Sequence, residues 1–455
     1  MAGRIALFVP ASIALSLLCI PTNIPDYEAG SLPKLEVQTV YSANPHDPWN
    51  RIFFLLFTRK VDLRLSDDFK VEGPWLPTEV MGNPSLMATS RTVERIESGD
   101  RAIDPLYPNF FSSQGSERIL SDPGFSELKE ALQEACSETS SRPALHRALM
   151  QSDVWAAYEI VTWSRRTDGP IGDHARALLP WLVQFIAKLA LSSSEIAGLP
   201  HNNAIAQSSL TLPKMFDAGS GWIELEWFPE RSHDTMGQNR HAARIFLKPP
   251  GKPAAFLKHV NERIRGKLEP LPGGIHDLDA EALLTQVLLI NRDGRVVPSP
   301  LISDIQLRTV TRDESGRFTG SNVEEFELSR QLMLAHPSSG GFVHRTAEEP
   351  SYLPASGNDF TFASPMTGER EQKTPILGTL RRRCESCHFE SSVFTFRMIP
   401  IPGRPVPAVR QLPPEGNQRA FHVAEKKMKS REFRSLQLDQ GAAPATIGLE
   451  QNGRN

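Results

Sequence analysis

The sequence predicts an α+β fold: a helix-rich segment, then a mainly β region, then a small C-terminal segment marked by a cysteine motif. Three observations carry that reading. Apolar residues recur at helical spacing between about 121 and 204, and the period falls toward two over 205–345. A stretch rich in small and turn-forming residues, 346–374, then reads as a linker before the motif. The length of 455 residues suits two or three compact units. An apolar share of 40% and a charged share of 23% are ordinary for a folded chain. With 50 basic against 53 acidic residues, nothing in the overall charge calls for nucleic acid as a partner. The 37 prolines point to many irregular connections.

The chain opens MAGRIALFVPASIALSLLCI, with Arg4 followed by an apolar run from Ile5 to about Ile20. That order of charge and then apolar residues is that of a secretory signal, here assigned to 1–25, and it implies an exported, periplasmic or extracellular protein. An uncleaved membrane anchor is the alternative, but a span typically needs about 20 apolar residues and this run is shorter. A lipid anchor on Cys19 would follow the bulky Leu18, so simple export ranks above it. Residues 31–120 are mixed and proline-interrupted; RIFFLLF and the alternation Val61, Leu63, Leu65 read as one or two strands.

From 121 to 204 three helices are expected, in SELKEALQEACSE, RPALHRALMQSDVWAAYEIVTWSRR and HARALLPWLVQFIAKLAL. Pro143 stands near the first turn of the second, where proline is tolerated. Arg176, Gln184 and Lys188 mark the third as a buried or amphipathic helix and not a membrane span. Ser192 to Glu195 forms a capping box opening a short helix before Pro200.

Between 205 and 345 the segments WIELEWF and ARIFLKP read as strands, and AAFLKHVNERIR returns to helical spacing. In TQVLLINRDGRVVPSPL the pair Asp293-Gly294 lies between apolar runs, a strong hairpin signal. SDIQLRTV adds a further strand, and EEFELSRQLML fits either a strand or a helix. A β-meander is the expected arrangement. The stretch from SSGGFVHRT to ASGNDF reads as connection, and 441–455 as a loose tail.

Four cysteines do not describe a disulfide framework once Cys19 leaves with the signal. Cys136 reads as a small apolar residue of its helix. The other two stand in RRRCESCHFE, as Cys384 and Cys387, with His388 directly after. In this spacing each thiol can add across one haem vinyl group while the adjacent imidazole reaches the iron. CESCH resembles the attachment site of c-type cytochromes over those five residues. The resemblance implies one covalent haem c in a segment covering 375–440, thioethers at Cys384 and Cys387, and His388 as proximal iron ligand. A structural zinc would need two more ligands, and no second Cys-x-x-Cys pair exists. A disulfide is the other alternative, although TPILGTLRRRC does not clearly supply the strand and helix of a thioredoxin-like site. Arg381, Arg382 and Arg383 read either as a solvated run or as partners for haem propionates.

The sixth iron position separates electron carriage from ligand chemistry. Met398, ten residues past His388, alternates with Phe394 and Phe396 and so also reads as a core residue on a strand. Met428 and His422 lie on AFHVAEKKMKSREF, an amphipathic helix on which Phe421, Ala424 and Met428 are expected to share a face. These three are the alternative distal ligands. Two polar clusters, His233, Asp234, Arg240, His241 and Arg244, and then His276, Asp277 and Asp279, read first as polar turns. The expectation is an exported bacterial monohaem protein, a haem oxidoreductase or electron carrier working with a redox partner protein or a small oxidant. The alternative is a secreted binding or structural protein in which Cys384 and Cys387 form a disulfide or metal clip.

Overall fold

The computed structural model describes residues 39–59, 102–103, 119–166, 168–204, 212–217, 219–226, 241–262, 278–347, 350–353, 376–379, 410–412, 417–430 and 433–437. The signal segment and the alternation at Val61, Leu63 and Leu65 lie outside them. The fold is α+β, a layer of helices packed on one face of an antiparallel sheet.

RIFFLLF is helical, not extended: α1 spans Pro48–Phe57. Trp49, Ile52, Phe53 and Leu56 recur at helical spacing and are buried, but so are Leu55 and Phe57. A helix buried nearly all round shows no polar face, so its apolar run cannot reveal a period. Asn50 ties it to the preceding chain, its amide donating to the carbonyls of Ser42 at 2.9 Å and Asn44 at 2.8 Å. The Asn50 Oδ1 accepts from the Tyr41 N–H at 2.7 Å. Residues Thr58–Arg59 (β1) pair with Ala102–Ile103 (β2) in a short antiparallel ribbon.

The three expected helices are present as α2 (Asp122–Glu138), α3 (Ala144–Ser164) and α4 (Pro170–Leu189). Leu128, Ala131, Leu132 and Ala135 of α2, Trp155, Tyr158 and Val161 of α3, and Leu178, Leu182, Phe185 and Ile186 of α4 share one core with α1. Cys136 is half-buried against that core, and burial pushes its thiol up to about 11. It is a poor nucleophile at neutral pH. The capping box opens α5 (Ser193–Ala197) as the sequence predicts: Ser192 Oγ accepts from the Glu195 N–H at 3.2 Å, and Glu195 accepts from the Ser192 N–H at 2.8 Å. The Ser192 N–H, together with Arg147, holds the Glu195 carboxyl down at about 2.

The main sheet is antiparallel throughout, six consecutive strands in chain order with Arg410–Leu412 (β11) added beside the first. Its consecutive strands are β3 (Ile223–Glu226), β4 (His241–Lys248), β5 (Ala280–Ile290), β6 (Val296–Arg312), β7 (Phe318–Leu328) and β8 (Phe342–Thr346). This is the expected meander, with α6 (Pro253–Glu262) between β4 and β5. The Asp293-Gly294 hairpin joins β5 to β6, with Gly294 at φ 70°. Asn291 Oδ1 accepts from the Asp293 and Arg295 N–H groups at 3.1 and 2.9 Å. The turn from β6 to β7 repeats the device in DESGR: Gly316 sits at φ 80°, and Asp313 Oδ1 accepts from the Ser315 and Arg317 N–H groups, both at 2.9 Å. SDIQLRTV is absorbed into the 17-residue β6.

EEFELSRQLML is both structures in turn. The strand ends at Leu328, and Ser329 Oγ then accepts from the Leu332 N–H at 3.2 Å to open α7 (Arg330–Ala335). Gly341, at φ 68°, leads back into β8, and a Cβ there would stand 2.6 Å from Met333 Cβ and 2.8 Å from Met333 Cα. Gly341→Ala is therefore expected to destabilise by about 2 kcal/mol or more through backbone strain and crowding, read from denaturant midpoints. An unchanged midpoint would refute this.

The stretch expected as connection holds two strands. Phe342–Thr346 is the edge strand β8, and Pro350–Leu353 (β9) pairs antiparallel with Ile376–Thr379 (β10). Serine, glycine and proline around them mask short strands whose stability comes from pairing partners distant in sequence. Arg410–Leu412 (β11) joins the other edge of the sheet beside β3, and Gln418–Met428 forms α8. Ala420, Val423 and Ala424 of α8 and Phe433 and Leu436 of a following helical turn belong to the same core as α1–α4.

Candidate functional site

Cys384, Cys387, His388 and Met398 lie outside the described residues. The strands that flank their segment are described. The segment leaves β10, where Thr379 pairs with Pro350, and returns at β11, where Arg410 pairs with Glu226. Residues 380–409 thus connect the two-stranded β9–β10 ribbon to the edge strand β11 of the main sheet.

The two other distal candidates are on α8. His422 is exposed, while Met428 is half-buried and packs against the main core. The face expected from the sequence is shifted: Ala420, Val423, Ala424 and Lys427 are buried, and Phe421 is 55% exposed. This side of α8 lies over β4 and β6, and on it Arg419, also buried, donates from Nε to the Ala243 carbonyl at 3.4 Å.

What locks α8 in place is a buried polar network absent from the sequence reading. Arg244, expected in a polar turn, lies inside β4 and is 2% exposed. Its Nε and Nη2 donate to the two carboxylate oxygens of Glu224 at 2.8 and 2.7 Å. Its Nη1 donates to Gln286 Oε1 at 3.2 Å and to Asn417 Oδ1, at the entry of α8, at 2.9 Å. The rings of Phe216 and Phe246 stand 5.0 and 5.3 Å from the guanidinium carbon, an arrangement in which the charge is attracted to the ring faces. Burial pushes the Glu224 carboxyl up, and Arg244 opposes that shift. With its donors engaged and its flat sides covered, this arginine positions the return of the chain after residues 380–409.

The sequence did contain a signal for the network. In WIELEWF and ARIFLKP, strand alternation puts Glu224 and Arg244 on the same side as Phe246, a core position. His241, from the same polar stretch, opens β4 and is also buried. Two side-chain amides, again unforeseen, join the layers. Gln151 of α3 exchanges hydrogen bonds with the backbone of Ile290 at 2.8 and 2.9 Å, and Asn202 does so with Ile302, both at 2.8 Å. The second satisfies backbone groups where the β5–β6 register shifts.

Among the described residues no group of three or more histidine, cysteine, aspartate or glutamate side chains is placed to hold a metal ion. Among them also, no helix is long and apolar enough to cross a membrane. Compared with protein-family models, with curated proteins and with solved structures, the chain matches none.

Proposed function

We propose that this is an exported monohaem c-type protein that transfers electrons or carries out haem redox chemistry with a protein partner or a small oxidant. The observation that carries the reading is the order Cys384, Cys387, His388. Two thiols two residues apart suit neighbouring vinyl groups, and the following imidazole suits the iron. Supporting it is the charged-then-apolar start of the chain, because such haem is attached outside the bacterial inner membrane. When bound, the haem would supply the redox chemistry; Cys384 and Cys387 would hold it covalently, His388 would bind its iron, and Met398, His422 and Met428 are the candidates for a second protein ligand.

The test is expression of the full chain with haem-attachment machinery. A reduced-minus-oxidised α-band and haem that stays with the polypeptide on a denaturing gel are expected, and Cys384→Ser with Cys387→Ser is expected to remove the covalent haem. Absence of both signals in the unsubstituted protein would sink the reading. Single substitution of Met398, His422 and Met428 then identifies the sixth ligand by loss of the low-spin spectrum. A second reading, a secreted binding or structural protein with a Cys384–Cys387 disulfide or metal clip, draws on the strand Ile376–Thr379 shortly before the motif. Thiol titration and metal analysis of the haem-free protein would support it.

A further inference from the structure

The stretch from Val40 to Asp47 leads into α1, and a half-buried ring of α3 stands where it packs. The His146 imidazole lies against the Tyr41 ring, centroids 5.9 Å apart, and Tyr41 in turn packs on Trp49 and Phe53. The phenol is tied down elsewhere, its hydroxyl donating to Asp153, the partner of Arg330. Arg142, four residues before His146, is held from three directions. Its Nη2 stands 2.7 Å from both Asp47 Oδ2 and Glu138 Oε2, and its guanidinium carbon lies 5.1 Å from the Trp49 ring centre. Asp47 is occupied twice, because its other oxygen accepts from the Trp49 N–H at 2.8 Å. Between these points Ser42 to His46 are exposed or half-buried, so Val40, Tyr41 and Asp47 carry the burial of the stretch.

A proton is poorly accommodated on this ring. The His146 Nδ1 is buried and, among the described residues, has no hydrogen-bond partner. A neutral imidazole can leave that nitrogen as a bare acceptor, whereas an imidazolium must carry an N–H there. A buried donor without an acceptor costs more than a typical hydrogen bond contributes. The charged groups facing the ring are Arg142 and Asp47; Glu138 of α2 and the Asp153–Arg330 pair stand one contact further away. Burial first, and then the Arg142 guanidinium, hold the imidazole below its ordinary value of 6.5, and the Asp47 carboxylate opposes them only in part. Arg142 cannot swing aside without giving up Asp47 and Glu138. For a base whose pKa is depressed in the packed state, the released state takes the proton more readily. The packing is therefore at full strength above 6.5 and weakens as pH falls below it.

We propose that His146 is an acid-sensitive latch: neutral, it lets Val40–Asp47 pack on α3, and once protonated beside Arg142 it releases that stretch while the sheet stays closed. Opening breaks the ring contact with Tyr41 and the bond from Arg142 to Asp47. Three amides report it, each hydrogen-bonded in the closed state: Tyr41 to Asn50 Oδ1, Asp47 to the Asn44 carbonyl and Trp49 to Asp47 Oδ1. The latch draws on no part of the haem reading, so either can fail alone.

Hydrogen–deuterium exchange of the full chain tests it, at about pH 7.5 and about pH 5, which span the range in which imidazoles change charge. Rates are corrected for the intrinsic pH dependence of amide exchange. In the parent, peptides covering 40–50 are expected to exchange several-fold faster at the lower pH, while those from Ala280–Ile290 of β5 do not. His146→Gln and His146→Leu each remove the titrating ring. Both are expected to abolish the acid-dependent gain, in protein whose far-ultraviolet circular dichroism is unchanged. Equal protection of 40–50 at the two pH values in the parent would overturn the latch, whether or not the variants fold. So would a gain that persists in either folded variant, and a gain of the same size in β5 would overturn its local character.

Discussion

Asp153→Ala is expected to destabilise the protein by about 3–5 kcal/mol, enough to remove much of the stability of an ordinary domain. Asp153 sits on α3 and is 1% exposed, as is its partner Arg330 of α7, whose Nη2 donates to Asp153 Oδ1 at 3.0 Å. The hydroxyl of Tyr41 donates to the other carboxylate oxygen at 3.1 Å. Removing the carboxylate leaves a guanidinium in the interior without its counter-charge and a buried phenol without its acceptor. Burial and the neighbouring carboxylate already hold the Tyr41 phenol well above its ordinary pKa. Asp153→Leu combined with Arg330→Met should recover most of the loss, because a well-packed apolar pair avoids the desolvation that the ion pair must offset. Urea unfolding of the single and double variants measures both effects; equal losses in the two would refute the argument.

The second large effect is a pH dependence carried by Glu281. Its pKa is raised from 4.5 to about 7, first by burial, with Arg308 across the β5–β6 ladder only partly opposing. For an acid whose folded pKa is raised, the contribution to stability is fully present below the unfolded value and is lost as pH rises through the folded one. Stability should thus fall between about pH 4.5 and about pH 7 and level off above, from this group alone by roughly 3 kcal/mol. Glu281→Gln keeps the shape and removes the titration. The difference between variant and parent, followed by urea unfolding across that window, isolates the group from other titrating residues. Parallel curves for the two proteins would mean that Glu281 does not carry the dependence.

Local chemistry explains which elements could be read in advance. The helices α2, α3 and α4, the Ser192–Glu195 capping box and the Asp293-Gly294 hairpin follow from periodicity, an N-terminal cap and a glycine at positive φ, all interactions within a few residues. α1 was hidden because burial on nearly every side erases amphipathic contrast. β8 and β9 were hidden because a short polar strand depends on its partner more than on its composition. On α8, periodicity identified the helix but not its buried side: Phe421 is the more apolar residue, yet Ala420, Val423 and Ala424 are the ones buried.

By itself, the sequence determined the order of helix-rich and strand-rich regions and the tight turns, and it supplied the motif on which the haem proposal stands, Cys384, Cys387 and His388. The tertiary structure alone decided that β11 and α8 return to the body after that motif, that Glu224 and Arg244 meet in the interior, and that Asp153 finds Arg330. Periodicity, caps and turns act between near neighbours. A buried charge is tolerated only where the whole chain brings its partner, from 20 or 177 residues away, into hydrogen-bonding distance.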